Sequence, residues 1–268
     1  LGLSVAVGHA EDKKLGWSGE AGLQFVAIDG NSKSQSLGFN GKAVYNWDAA
    51  AFVVETGGVR AESTLVTRTA VGTPTDFRVI ESKSTSKTAE NYFLRGRYDQ
   101  EISKELVWFV GAGWERNQFA GFDSRASLIG GLGKIWLEND KTKFRTDVGL
   151  TYTREEPTAS LIESTDYLGA RLGWDFSHQL SANTKLSNVL ALDANFDESD
   201  DWRADDMTTL SVAMSERLEL HLGLRLLYDH QPGFQRIPLT TPSGMRRFVL
   251  VEQDDLDSTF TTSVVWKF

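Results

Sequence analysis

The chain predicts one antiparallel up-and-down transmembrane β-barrel of about twelve strands, an even number, as bacterial single-chain barrels have. Three observations carry this reading. Apolar and polar residues alternate with period two through most of the sequence, which is the geometry of a strand with two unlike faces. The connections are short on one side, and the other side holds the two longest loops. The last strand ends on an aromatic residue, with Phe260, Val264, Trp266 and Phe268 on one face.

Composition narrows the classes. The 268 residues hold no apolar run long enough for a transmembrane helix. A mean hydropathy of -0.30 still suits a spanning barrel, because alternating strands average to a polar composition. With no cysteine, thiolate metal sites and cysteine nucleophiles are excluded. A net charge of -9 argues against a nucleic-acid partner. Only 5 prolines occur, as expected of paired strands.

Residues 1–10, LGLSVAVGHA, read as the remnant of a secretory signal with a small-x-small cleavage site ending at Ala10. Residues 11–268 are then one barrel domain. Trp17, Leu23 and Phe25 oppose Ser18, Glu20 and Gln24, and Asp29-Gly30-Asn31 is hairpin chemistry. Leu37, Phe39, Tyr45 and Trp47 return against Asn40 and Lys42. The third strand carries Phe52 and Val54 opposite Glu55, and its phase blurs after Gly57-Gly58, where a bulge is expected. Thr67–Ser82, with Pro74, reads as a long polar loop.

Tyr92, Leu94 and Tyr98 then oppose Arg95, Arg97 and Asp99; Trp108, Val110 and Trp114 oppose Glu115. Leu128, Leu132 and Trp136 share a face that Lys134 interrupts. Val148, Leu150 and Tyr152 oppose Arg145 and Asp147, and Leu168, Leu172 and Trp174 oppose Arg171 and Asp175. Leu190 and Leu192 follow against Asp193, with Asn188 an exception on the apolar face. Asp197–Asp206 reads as a solvated acidic loop, without the central glycine of a calcium-binding loop. The clearest alternation is Leu218 to Tyr228 against Arg225 and Asp229, and Gln231–Asp254 reads as a second long loop.

A soluble barrel would turn its apolar face inward. Here Trp17, Trp47, Trp108, Trp136, Trp174 and Trp266 fall toward the short-turn end of the apolar face, and Phe25, Phe39, Trp114, Tyr152, Phe196 and Tyr228 toward the other. Two aromatic belts around an aliphatic middle form the girdle of a bilayer-spanning barrel. The opposite face carries Glu20, Lys42, Glu55, Arg95, Arg97, Glu115, Arg125, Arg145, Asp147, Arg171, Asp175, Asp193, Arg225 and Asp229. Turned to lipid, such charges would cost up to about 2–4 kcal/mol each at the midplane. Turned inward, with signs mixed, they predict a salt-linked network and a narrow or occluded lumen rather than a single-sign selectivity ring. Membrane lipids and lipopolysaccharide are the expected surroundings; the oligomeric state is left open.

No catalytic, cofactor or metal motif is present. A lipid-modifying barrel enzyme would need a Ser–His pair with an orienting residue, and none of the four histidines sits in a nucleophile motif. The expectation is therefore no enzyme, with a lipid-modifying barrel and a soluble ligand-binding barrel as the alternatives.

The closing strand, ending in Phe268, resembles the signal read by the outer-membrane barrel insertion machinery. The stretches KTAENYFLRGRYDQ (87–100), FVGAGWERNQFAGFDSRASLIGGLG (109–133), TDVGLTYTREE (146–156) and GWSGEAGLQF (16–25) resemble the YdiY-like family of salt-induced outer-membrane proteins. That resemblance covers nearly everything after Leu15. It implies an outer-membrane barrel with a link to salt or envelope stress, and it carries no catalytic motif.

Overall fold

The structure, a computed structural model, describes residues 15–28, 33–73, 76–118, 122–158, 164–232, 234–240, 246–252 and 254–268. The leader reading of residues 1–10 lies outside them. The strands are β1 (Gly16–Ile28), β2 (Lys33–Asn46), β3 (Ala50–Thr73), β4 (Asp76–Glu101), β5 (Leu106–Asn117), β6 (Phe122–Glu138) and β7 (Thr142–Pro157). They continue with β8 (Thr165–Ser181), β9 (Thr184–Asn195), β10 (Trp202–Ala213), β11 (Leu218–Asp229), β12 (Phe234–Thr240), β13 (Arg246–Glu252) and β14 (Leu256–Lys267).

Twelve of these close a barrel in which every neighbouring pair is antiparallel. The order runs β1-β14-β11-β10 and onward down to β2. Strands β12 and β13 form a separate two-stranded sheet. Closure pairs the first strand with the last, from Glu20↔Lys267 to Leu23↔Val264. Strands of 12 residues, such as β5 and β11, suffice to cross a bilayer when tilted.

Two expected loops are strands instead. Residues 67–73 and 76–82 of the expected 67–82 loop belong to β3 and β4, which stay paired out to Thr73↔Asp76, and Pro74 lies outside the described residues. The neighbouring ladders end earlier, at Lys33↔Thr64 and Asn91↔Asn117. Beyond Thr64 the hairpin stands alone for roughly 30 Å at strand rise. Gln231–Asp254 holds the β12–β13 hairpin, with Pro238 paired to Phe248. Proline is tolerated there because each strand of a two-stranded ribbon is an edge. The acidic loop is also shorter than expected: β10 starts at Trp202 and absorbs Asp205 and Asp206. The β3 irregularity lies between Ala61 and Glu62, past the two glycines.

Candidate functional site

The two faces are told apart by which side chains meet across the ring. Arg97 on β4 bonds Asp147 on β7, although β5 and β6 lie between them. Such a bond can run only through the interior. The odd-numbered residues of these strands therefore point inward. Their even neighbours Leu94, Val148 and Leu150 are exposed on the outside, as are Leu128 on β6 and Leu224 on β11.

At the centre is a closed quartet of two guanidinium groups and two carboxylates. Arg97 grips Asp99 with both Nε and Nη2, at 2.9 Å each, and reaches Asp147 Oδ2 with Nη1 at 2.6 Å. Arg145 donates to Asp147 Oδ1 at 2.7 Å and to Asp99 Oδ1 at 2.6 Å. Charges alternate around the ring, so each guanidinium touches both carboxylates. Burial of four charges demands such pairing. Asp99 is 0% exposed. Beneath Arg97, Phe109 presents its ring 3.8 Å from the guanidinium carbon. Val53, Val107 and Val265 are also buried inward, so part of the interior is apolar. Gly133 makes the quartet possible, because a Cβ there would meet Asp147 Oδ1 and the Arg145 guanidinium.

Nearer the long-loop end, Arg125 links Glu155 at 2.8 Å and Glu115 at 3.1 Å and stacks on Phe122. Arg203 binds Asp229 at 3.0 Å and the Tyr167 hydroxyl at 2.7 Å. Two bidentate pairs, Arg171 with Asp193 and Arg225 with Asp205, flank these groups. Lys42 and Arg95 share Glu55. Glu20 stands in register with both Lys42 and Lys267, and Asp175 is in register with Arg145. Beyond the β4–β5 ladder, the Lys87 ammonium donates to Glu90 at 2.6 Å and holds that carboxyl below its usual range.

Every residue expected in the inward set thus lies on the inward face. Further charged residues belong to it, among them Asp99, Glu155, Asp201, Arg203, Asp205, Glu219 and Lys267. Parity marks Asp99 as inward. Arg203 and Asp205 were hidden because the acidic run around them reads as a loop. A cavity of about 100 Å³ remains between these groups, lined by Glu115, Arg125, Tyr167, Arg203, Arg225 and Asp257 among others. A second, of about 40 Å³, lies beside Arg97, Phe109 and Asp147.

On the outside, Trp17, Tyr45, Trp47, Tyr98 and Trp108 form a chain of ring contacts 4.5 to 6.1 Å apart. Trp136 carries the Lys134 ammonium over its ring, so that cation reaches along the aromatic level rather than into the aliphatic band. Trp174 sits farther along its strand and donates to Asn188 Oδ1 at 2.6 Å. Asn188 in turn bonds Asp206 and Thr208, a polar patch on the otherwise apolar exterior. At the closing strand, Phe260, Val264, Trp266 and Phe268 all face outward and are exposed.

Apolar outside, ion-paired inside and closed on itself, the molecule has the build of a membrane-type β-barrel. The chain belongs to the family described as "Protein of unknown function, DUF481", whose model matches residues 19–238. It is 23% identical over 150 residues to the uncharacterized protein YdiY of Escherichia coli (strain K12). That match covers 55% of each chain, so it spans about half the length of this relative. The resemblance seen in the sequence is borne out.

Among solved structures, the chain is similar to the NanC porin, with a TM-score of 0.48 at 9% identity, covering 93% of this chain and 98% of that one. It is also similar to the COG4313 outer membrane channel from Pseudomonas putida F1 (TM-score 0.45, 11% identity, 99% and 98% covered). A third likeness is to the translocator domain of the autotransporter NalP from Neisseria meningitidis (TM-score 0.45, 11% identity, 96% and 90% covered).

Proposed function

We propose that this protein spans the bacterial outer membrane as a structural or very narrow barrel that serves envelope adaptation to salt, without catalysing a reaction. The observation that carries the reading is the Arg97–Asp99–Arg145–Asp147 quartet, which spans the interior between β4 and β7. A wide aqueous pore would leave such groups hydrated and apart. Here they bond each other, with apolar side chains beside them. The exterior supports membrane insertion: an aliphatic band lies between aromatic levels, and a soluble barrel would expose no such band. The salt link comes from the family resemblance. The histidines favour no hydrolase: His178 bonds Thr142, His221 bonds Glu219, and His230 bonds Tyr228.

Two measurements test this. Fractionated cells should carry the protein in the outer membrane, released by detergent and not by salt or alkali. Purified protein in planar bilayers should give no large, stable conductance steps. Large steps would overturn the narrow-lumen reading, and recovery in a soluble fraction would overturn the membrane reading.

A further inference from the structure

The ladder that closes the barrel is the shortest in it. Strand β1 pairs with β14 only from Glu20↔Lys267 to Leu23↔Val264. Two backbone bonds between Gly19 and Phe268 extend it at the carboxyl end. Yet both strands run on. Strand β1 stays paired to β2 as far as Ile28↔Ser34, and β14 stays paired to β11 as far as Tyr228↔Leu256. Past Leu23 and Val264, no pair joins β1 to β14 among the described residues. The two strands part toward the long-loop end.

The parting lies within the apolar band, not above it. Thr262 and Phe260 on β14 are in register with Leu222 and Leu224 of β11. Phe25 and Phe260, on either side of the gap, are each 70% exposed. A strand edge left open to hydrocarbon would hold unmet amide and carbonyl groups at several kcal/mol each, so such an edge persists only where water or protein meets it.

The inner wall beside the gap shows which of these applies. Elsewhere the interior is tied by arginine–carboxylate pairs. Here the residues behind the open edges are neutral, Gln24, Asn40, Thr259, Thr261 and Ser263, with Arg225 in register with Thr259. These can hold water against the open edges, and Asp257, one step above, lines the 100 Å³ cavity. Hydroxyl and amide groups thus stand behind the gap, while Leu23, Phe25 and Phe260 stand in front of it.

We infer that the gap between β1 and β14 is a lateral slot through which the headgroup of an amphiphile passes between the bilayer and the cavity, its chain staying in lipid. The open edges are backed by neutral hydrogen-bonding groups, and the cavity beyond carries both signs, Arg225 and Asp257 nearest, so the fitting headgroup is uncharged or zwitterionic. This rests on the membrane-spanning reading above.

The test uses a membrane-dissolved probe, N-dodecylmaleimide, in phosphatidylcholine vesicles holding the full chain. The chain has no cysteine, so single-cysteine variants label cleanly. Leu256→Cys, outward on β14, checks insertion. Thr261→Cys reports the slot, with Ser263→Cys as a second reporter should the first assemble poorly. Ser211→Cys, buried on β10 and away from both cavities, is the closed control. The slot predicts that Thr261→Cys or Ser263→Cys reacts at least ten-fold faster than Ser211→Cys. If Leu256→Cys labels while both slot positions match Ser211→Cys, the slot is refuted and the barrel reading stands. If Leu256→Cys fails to label, both readings fall. Disulfide-linked dimers of Thr262→Cys forming in the membrane would show a second copy covering the edge, and would also refute the slot.

Discussion

The residue that concentrates the interior energetics is Asp99. It accepts from two guanidinium groups and is wholly buried. Truncation to alanine removes one of the two buried carboxylates that Arg97 and Arg145 share. Breaking a buried pair costs about 3–5 kcal/mol. Asp99→Ala should lower unfolding stability by about that amount, read from tryptophan fluorescence in urea with protein in vesicles. An effect below 1 kcal/mol would mean the quartet is hydrated. Gly133→Val should also destabilise, since its side chain would occupy the space of Asp147 and Arg145. Parity in the sequence places Arg97, Asp99, Arg145 and Asp147 on one face. It cannot say that β4 reaches β7 past two strands. That depends on barrel closure and on glycines that clear the way, neither of which has a local signal.

At the scale of elements, legibility followed the presence of two unlike environments. Strand β11 alternates cleanly because one face meets apolar surroundings and the other meets the ion pairs. The β3–β4 extension and the β12–β13 ribbon lie outside the ring of paired strands. Nothing there selects period two: the Ser, Thr and Lys runs of the first and the prolines around the second read as loops. Trimming residues 65–84 to a short turn should therefore leave the barrel assembled, with its heat-dependent gel mobility unchanged. Loss of that mobility would make the ribbon part of the folding unit.

The closing seam is the opposite case. With few β1–β14 pairs, the Gly19–Phe268 backbone bonds carry a large share of closure, and the Phe268 ring lies where a side chain at position 19 would go. Gly19→Leu and deletion of Phe268 should each reduce the assembled fraction in outer membranes several-fold, scored by membrane fractionation. Unchanged assembly in both would remove Phe268 from the closure.

For the whole molecule, what matters is which environment each face meets. The pairing arrangement, the even strand number and the short turns at one end follow from alternation and turn chemistry, and were legible. Which face is inside is a matter of energy: charges gain partners inward and would lose hydration outward. The same logic predicts that opening the quartet, by Arg97→Ala with Arg145→Ala, enlarges the lumen. Planar-bilayer conductance should rise above that of the native chain, and an unchanged trace would place the constriction elsewhere. The decisive measurement is a nitroxide scan of residues 218–229 in phospholipid vesicles, comparing collision with oxygen and with a water-soluble nickel chelate. Even positions, Leu220, Leu222 and Leu224 foremost, should collide with oxygen, and odd positions, Arg225 and Asp229 included, should avoid it. The reverse phase would put the leucines inside and contradict the membrane barrel outright.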